Sequence, residues 1–234
     1  MHYSEEDKAR ILAQYPEHER DTRTKGVPAM GSGRVFLVDE AKLLVDHFEY
    51  PSHWVQIAGC DFGWDHPAAF VECWWDRDLD IFYVVRTFRF RHMTPHQHVE
   101  RLRHWKMPFA WPADGGRQTL EGAGEPLATQ YRKAGLNMLW EHATFEDGGV
   151  SVEAGLAEMH DRMAGGRWKI FKGQNNEWLE EYRLYHRKDG LLVKENDDAL
   201  SASRYALMMK RSGKTAAAYS RFRRPLEYPK IGIA

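Results

Sequence analysis

The sequence predicts an α/β fold in which a mixed β-sheet is covered by helices. Three runs rich in β-branched and aromatic residues follow one another closely between positions 54 and 90, as antiparallel strands do. Beyond position 94 helical and strand-like segments alternate, which is typical of a mixed sheet with helices packed on it. With 234 residues, the chain can bury one sizeable core.

The first three strands are predicted at Trp54 to Phe62, Ala68 to Trp75 and Ile81 to Phe90. The short polar breaks "GWDHP" and "DRDLD" separate them, and such breaks favour turns between neighbouring strands. The sequence therefore predicts a three-stranded antiparallel core for the sheet.

The second half of the pattern is predicted from its helix boundaries. Thr94 and Pro95 mark a helix start, Gly135 marks a helix end, and Ser151 begins a segment with an apolar stripe at helical spacing. The predicted segments are a helix at 94–105, a short apolar run at 107–114, a helix at 125–135, a strand at 136–141, a helix at 151–166, a strand at 167–173, a helix at 176–186, a turn and strand at 187–195, and a helix at 197–211.

Three regions are expected along the chain. Residues 1–50 are charged and broken by Pro and Gly, so they are predicted to form an arm, to which 33–44 add one strand and one helical turn. Residues 51–211 are predicted to form the compact domain, and 212–234 a basic C-terminal tail.

Composition limits the class of protein. The formal net charge of -1 does not favour a protein that binds nucleic acid over its whole surface, although it leaves room for local basic patches. Cys60 and Cys73 lie in predicted strands, so we expect two buried thiols in a reducing cytoplasm rather than a disulfide framework. Because the chain has no leader-like start and no apolar run of about 20 residues, we expect a soluble, intracellular protein.

Acidic residues stand at the ends of three predicted elements. Asp61 follows an apolar strand, Asp114 precedes a double glycine, and Asp197 and Asp198 open the last helix. Taken separately, Asp61 and Asp114 fit turn positions and Asp197 fits a helix N-cap. Taken together, they fit a site for Mg²⁺ or Mn²⁺, because carboxylates gathered at one sheet edge repel one another unless a cation lies between them.

Two such ions about 4 Å apart can activate a water and stabilise the leaving oxygen of a phosphodiester. The adjacent pair would then have separate tasks, with Asp197 capping the helix and Asp198 binding metal, although spacing alone does not decide between them. His66, close behind Asp61, either supports the metal or a water, or belongs to the "WDHP" turn. His92, His96, His98 and His104 lack the paired spacing of a zinc site and are expected on the surface.

The motifs "GCDFGWDHPAA", "WPADGG" and "ENDDALSASRYALM", in this order, resemble the nuclease domain of the large terminase subunit of tailed bacteriophages. The resemblance extends from about residue 5 to 210 and implies an RNase H-like fold, with three antiparallel strands, then parallel strands, and helices on both faces. It also implies a Mg²⁺- or Mn²⁺-dependent endonuclease that cuts concatemeric phage DNA during packaging. Asp61, Asp114 and Asp198, or its neighbour Asp197, would then be the catalytic metal ligands.

Two departures from the family pattern stand out. Relatives have a further Asp at the position of Ser201, and Pro112 falls within the expected fourth strand. Because proline removes a ladder donor, that strand is predicted to end early. The partners implied are double-stranded DNA, the portal protein, the small terminase subunit and an ATPase motor domain expected outside this chain, all in the cytoplasm of a bacterial host.

Basic side chains should flank the acids of a nuclease, because they must hold a polyanion beside them. The candidates are Arg167, Lys169 and Lys172 around one strand, and Arg187, Lys188 and Lys194 around the turn that leads into Asp197. The second group fits a solvated surface turn equally well. Two other functions remain open: a junction resolvase or transposase with the same fold, and a packaging-motor docking module without chemistry of its own.

Overall fold

The computed structural model describes residues 33–114 and 125–216. Within these ranges the helices are α1 Glu40–Leu43, α2 Pro95–Leu102, α3 Leu127–Ala134, α4 Val152–Ala164, α5 Asn176–Leu184 and α6 Asp198–Met208, with a 3-10 turn at Lys210–Ser212. The strands are β1 Leu44–Val45, β2 Val55–Asp61, β3 Ala68–Asp76, β4 Ile81–Phe90, β5 Phe109–Ala110, β6 Trp168–Phe171, β7 Arg187–Lys188, β8 Leu191–Leu192 and β9 Lys214–Thr215.

The described strands build one mixed seven-stranded sheet and a separate two-stranded hairpin. The sheet order is β1-β6-β4-β3-β2-β5, and β9 also pairs with β2. β2, β3 and β4 are antiparallel neighbours, whereas β6 runs parallel to β4 and β5 runs parallel to β2. The predicted mixed sheet, with three antiparallel strands followed by parallel ones, is confirmed.

Strand register brings two of the predicted acids to the same edge. Ala58 and Gly59 of β2 lie beside Phe109 and Ala110 of β5 in parallel register. Asp61 is the last residue of β2, and Asp114 lies four positions beyond the end of β5. Since the carboxyl ends of parallel strands meet at one edge, both acids leave the sheet there.

Helices cover both faces of the sheet, as predicted. Ile57 faces a core formed with α4, α5 and α6, whereas Ala58 and Cys60 face a second core formed with α2 and α3. This follows from the period of two along a strand, which sends successive side chains to opposite faces. Cys60 and Cys73 are buried free thiols, as expected.

Gly59 allows α6 to lie directly on β2. A Cβ at this position would stand 1.7 Å from the carbonyl oxygen of Ala202 in α6. Ile57, Gly59 and Asp61 alternate onto the same face, so Asp61 emerges beside α6. The missing side chain thus brings the end of β2 close to the helix that begins with the paired acids.

Two segments differ from the sequence prediction. The strand expected at 136–141 is wrong: only Met138 makes a single bridge to Phe109, because the Met138 amide donates to the Leu136 carbonyl in a local turn. The strand expected after the 187–190 turn is reduced to the hairpin β7–β8, which Asp189 and Gly190 close with positive φ angles of 52° and 79°. β5 ends at Ala110, before Pro112, as predicted.

Parts of the expected arm and tail belong to the sheet. Leu43 and Phe36 are fully buried in the core, β1 pairs with β6, and β9 pairs with β2. The division at residues 50 and 211 stays a prediction, and the rest of both segments, 1–32 and 217–234, lies outside the described residues. No helix within the described ranges combines the length and apolar character that crossing a bilayer demands.

Candidate active site

Four acidic side chains from three separate segments line one cavity of about 420 Å³. Asp61 comes from the end of β2, Asp114 from the segment after β5, and Asp197 and Asp198 from the start of α6. The remaining lining residues are Phe62, His66, Pro112, Ala113, Ala143, Val150, Val152, Tyr185, Lys194, Ser201, Arg204, Tyr205 and Met208. The tertiary structure thus brings together all four of the acids singled out in the sequence.

The acids in this cavity oppose one another's ionisation. Burial, followed by the negative charges of Asp198 and Asp197, raises the pKa of Asp61 well above its usual range. Burial also raises the pKa of Asp197, to which the charge of Asp198 adds, and it raises the pKa of Asp198. A group of carboxylates shifted in this direction favours a bound cation, because a cation would stabilise their charged forms.

Neither member of the acid pair caps α6 with its side chain, so the capping role predicted for Asp197 is wrong. Asp197 occupies the N-cap position, but its carboxylate makes no capping hydrogen bond. Instead Oε2 of Glu181, from α5, accepts hydrogen bonds from the amides of Ala199 at 2.8 Å and Leu200 at 3.1 Å. Both aspartates are therefore left to line the cavity.

Glu181 is a fully buried carboxylate behind this helix end. Burial raises its pKa to about 8, against the opposing effects of the Leu200 amide and the Arg89 guanidinium. Oε1 lies 3.2 Å from Nη1 of Arg89, an ion-pair contact without hydrogen-bond geometry. The sequence offers no local signal for this role, because Glu181 precedes the helix it caps by a whole intervening hairpin.

The donor atoms suit a hard divalent cation, although they are spread around the cavity. Oδ2 of Asp198 is buried and has no hydrogen-bond partner in the described part of the chain, as expected of an atom that awaits a ligand. Oxygen donors are those that Mg²⁺ and Mn²⁺ prefer. As they stand, no three His, Cys, Asp or Glu side chains of residues 33–114 and 125–216 are grouped closely enough to hold one ion.

Arg204 is a cationic lining residue that the sequence analysis missed. It is buried, its guanidinium carbon stands 4.6 Å from the Tyr205 ring centroid, and its charge opposes the rise in pKa of Asp61 and Asp197. A signal was present: Asp197, Ser201 and Arg204 are spaced four and three apart, which places them on one helix face. Ser201, the position singled out in the sequence as a departure from the family pattern, also faces the cavity.

The predicted supporting and basic residues divide into two groups. His66 and Lys194 line the cavity. Arg187 and Lys188 do not line it: they form strand β7 of the hairpin, where Nη2 of Arg187 is 2.5 Å from Oε2 of Glu153 and Lys188 is exposed. His66 and Lys194 are near enough to the acids to contact a bound substrate.

Arg167, Lys169 and Lys172 lie elsewhere. Arg167 precedes β6, at the end of the sheet opposite to Asp61, and pairs with Asp80 at 2.7 Å. Lys169 donates to the Lys42 carbonyl at 3.0 Å, and Lys172 pairs with Asp46 at 2.9 Å. β6 is separated from β2 by two strands, so the structure does not bring these three residues to the acidic cavity.

Of the histidines expected on the surface, His98 is instead fully buried. Its Nδ1 lies 2.6 Å from the hydroxyl oxygen of Tyr131 in the core between α2 and α3. Burial lowers its pKa to about 4. The amphipathic pattern of α2 places His98 on the helix face that packs against the core. The residue type alone favoured a surface position.

Comparison with known proteins identifies the family. Residues 58–210 match the family model described as the terminase RNaseH-like domain. The terminase large subunit of Salmonella phage P22 is 46% identical over 232 residues, which is 98% of this chain and 45% of that protein. The terminase large subunit of Enterobacteria phage LP7 is 48% identical over 212 residues, covering 89% and 44%. The chain thus spans less than half the length of these relatives.

Solved structures agree with this. The P22 large terminase nuclease domain superposes with a TM-score of 0.75 at 45% identity, covering 80% of this chain and 97% of that one. The large terminase of the thermophilic bacteriophage D6E, at 16% identity and a TM-score of 0.59 over 89% of this chain and 53% of that one, shares the fold. The chain therefore belongs to the terminase large-subunit family, and residues 58–210 form its RNase H-like domain.

Proposed function

We propose that this domain is a metal-dependent endonuclease that cuts double-stranded DNA. The observation that carries the proposal is the meeting of Asp61, Asp114, Asp197 and Asp198 around one cavity, although they come from three distant segments. The relationship to the P22 large terminase nuclease domain supports the same reaction class. Turn roles give no reason for all four acids to face one space, and Asp197 makes no capping hydrogen bond that would explain its presence there.

The four carboxylates are the groups that would hold Mg²⁺ or Mn²⁺. Asp61, in the middle of the set, would be shared by two ions, while Asp114 and Asp198 would each complete one site and Asp197 would add a further oxygen. Two such ions activate a water and stabilise the leaving oxygen of a phosphodiester. Rotation about their side-chain bonds would gather their oxygens around a cation, whose charge would offset the mutual repulsion of the carboxylates.

The neighbouring side chains supply positive charge where DNA must approach. Arg204 offsets part of the acidic charge from inside the cavity, and Lys194 lies at its rim. His66 is placed beside the acids, where it can orient a water or a phosphate oxygen. Together these groups would allow a polyanion to enter a cavity lined with acids.

In the cell the substrate would be concatemeric phage DNA, cut when packaging begins and ends in the cytoplasm of the bacterial host. The ATPase motor domain, the portal protein and the small terminase subunit would be its partners. The length of the curated relatives, more than twice that of this chain, supports a further domain in the complete protein.

Substitution of Asp61 tests the proposed chemistry. Asp61→Asn removes the charge shared by both ions, so we expect Mn²⁺-dependent cleavage of plasmid DNA to fall by roughly 100-fold or more, since even outer-shell partners of a metal cost 10–100-fold. Cleavage is measured on gels with and without EDTA, and circular dichroism confirms the fold. Undiminished cleavage by folded Asp61→Asn would reject the assignment.

A matched acid and a second substrate complete this experiment. Asp46→Asn removes an exposed carboxylate that pairs with Lys172 at the far edge of the sheet, and it should cut DNA like the wild type. Linear duplex and four-way junctions are compared in parallel. Preference for the junction would indicate a resolvase, and the absence of both cleavage and Mn²⁺ binding in the wild type would indicate a docking module.

A further inference from the structure

Two residues of α5 hold α6 in place. At its N-terminus, Oε2 of Glu181 accepts from the amides of Ala199 and Leu200. One turn further on, Nε1 of Trp178 donates to Oγ of Ser203 at 2.8 Å. These contacts are buried, and α5 itself is tied to the sheet through Arg89 of β4, which pairs with Glu181.

The Glu181 contact lies immediately behind the paired acids. Ala199 and Leu200 follow Asp198 directly, and their amides are among those that an N-cap side chain ordinarily satisfies. A helix that begins with Asp197 would normally use that carboxylate as its cap. Here Glu181, from another helix, caps α6 instead. The same contact fixes the position of the first turn of α6 relative to β2.

We propose that Glu181 is a positioning residue for the metal ligands: by capping α6 from behind, it takes over the N-cap role that Asp197 would otherwise have and holds Asp197 and Asp198 toward Asp61. The inference rests on the proposed function, because it concerns ligands of the proposed ions. It assigns Glu181 no contact with metal or DNA. What matters is the reach of its side chain to the two amides.

Side-chain length and charge can be separated at this position. Glu181→Asp keeps the carboxyl group that faces Arg89 but shortens the side chain by roughly 1.5 Å, so one oxygen no longer reaches both amides. Glu181→Gln keeps the length and an acceptor oxygen but removes the ionisable carboxyl group. If the first variant does not fold, Glu181→Asn replaces it, so that a short and a long neutral side chain are compared.

The primary measurement is Mn²⁺ affinity by titration calorimetry on the folded full chain, without DNA. We expect the short variant to raise the dissociation constant about 10-fold or more, as outer-shell changes at metal sites do, and the long variant to stay within about threefold of the wild type. Plasmid cleavage should then require correspondingly more Mn²⁺, with a smaller change in the maximal rate at saturating metal.

Thr94→Ala is the matched control for loss of a helix cap. Thr94 caps α2, on the opposite face of the sheet, through a capping box with Gln97. This variant should lose stability and leave Mn²⁺ affinity within about twofold of the wild type.

Two results would overturn the inference. Wild-type Mn²⁺ affinity in the short variant would make Glu181 a structural residue only, and equal losses in the short and long variants would mean that its carboxyl group matters rather than its reach. A wild-type chain that neither binds Mn²⁺ nor cuts DNA would overturn the proposed function itself, which is a distinguishable outcome.

Discussion

At the scale of single residues, burial shifts acids and bases of this domain toward their neutral forms. Asp61 has its pKa raised by burial and by neighbouring carboxylates, whereas His98 has its pKa lowered to about 4 by burial. The two sites differ in what could reverse the shift. Asp61 faces a cavity that a cation can enter, while His98 is enclosed and its Nδ1 contacts the Tyr131 hydroxyl. His98 is therefore a structural group, and Asp61 belongs to a site that favours a cation.

The buried imidazole predicts a pH-dependent loss of stability. In the unfolded chain His98 is protonated near its ordinary pKa, whereas in the folded chain it is protonated only near pH 4. Between these two pH values the unfolded state binds more protons, so the free energy of unfolding falls as the pH falls. From pH 7.5 to 5.5 we expect this residue to cost on the order of 1 kcal/mol of unfolding free energy. Urea denaturation at the two pH values measures it.

His98→Gln is the comparison for that measurement, because glutamine can keep a hydrogen bond to Tyr131 and does not titrate. The difference in unfolding free energy between wild type and variant should narrow as the pH is lowered. An identical pH dependence in both proteins would contradict the assignment, since the cavity acids contribute equally to each.

At the scale of elements, the contact between β2 and α6 decides where the acids meet. The helix lies on the strand at Gly59, and the two elements deliver Asp61 and the pair Asp197–Asp198 to the same cavity. A side chain between them would push the helix away from the strand. The geometry of the site therefore depends on one position without a side chain, two residues ahead of Asp61.

Gly59→Ala tests this contact. The new Cβ would stand 1.7 Å from the Ala202 carbonyl oxygen, and backbone atoms of a packed helix cannot move aside without loss of packing. We expect the free energy of unfolding to fall by about 3 kcal/mol, at the upper end of the cost of overpacking, and cleavage to fall with it.

Ala58→Gly provides the control on the opposite face of β2. This substitution removes one buried methyl group and adds a glycine to the strand. We expect it to lower the free energy of unfolding by about 1 kcal/mol and to leave cleavage unchanged. Chemical denaturation of both variants measures the difference. Equal stability losses would mean that the close approach of α6 is not what Gly59 provides.

At the scale of the whole molecule, the formal net charge of -1 conceals a division of the basic residues. Lys194 lines the acidic cavity and Lys188 and Arg187 belong to the hairpin that precedes it in the chain, whereas Arg167 and Lys172 are paired with acids at the opposite end and edge of the sheet. Phosphate binding depends on which cations lie beside the cleaved bond, so the first group is expected to bind DNA.

DNA binding by paired lysine variants tests this division, in an Asp61→Asn background that prevents cleavage. Lys188→Ala with Lys194→Ala should weaken duplex binding and reduce the slope of log K against log salt by about 1 for each phosphate that the protein no longer neutralises. Lys169→Ala with Lys172→Ala removes the same number of charges and should leave both the duplex affinity and the salt slope unchanged. Fluorescence anisotropy over a salt series measures them, and the reverse ranking would contradict the placement of the DNA path.

Much of the fold could be predicted because it follows from local pattern. The strand-like runs ending at Asp61 and Phe90 are rich in β-branched and aromatic residues or in apolar ones, and Ser151 marks a helix start that the structure confirms. The strand expected at 136–141 was predicted wrongly because the composition of this segment favours β structure. In the folded chain, a turn hydrogen bond between Met138 and Leu136 interrupts it.

By itself, the sequence determined that acids stand at the ends of elements and that the runs ahead of Asp61 and Arg91 are strands. Both are consequences of local composition, which a chain carries before it folds. Only the tertiary structure decided which residue caps α6 and which cations lie near the acids. Those depend on contacts between residues distant in the chain, such as Glu181 with Ala199, and on sheet order, which put Lys172 at one edge and Asp61 near the other. Hydrogen bonding and charge act through space, so spacing along the chain does not fix their partners.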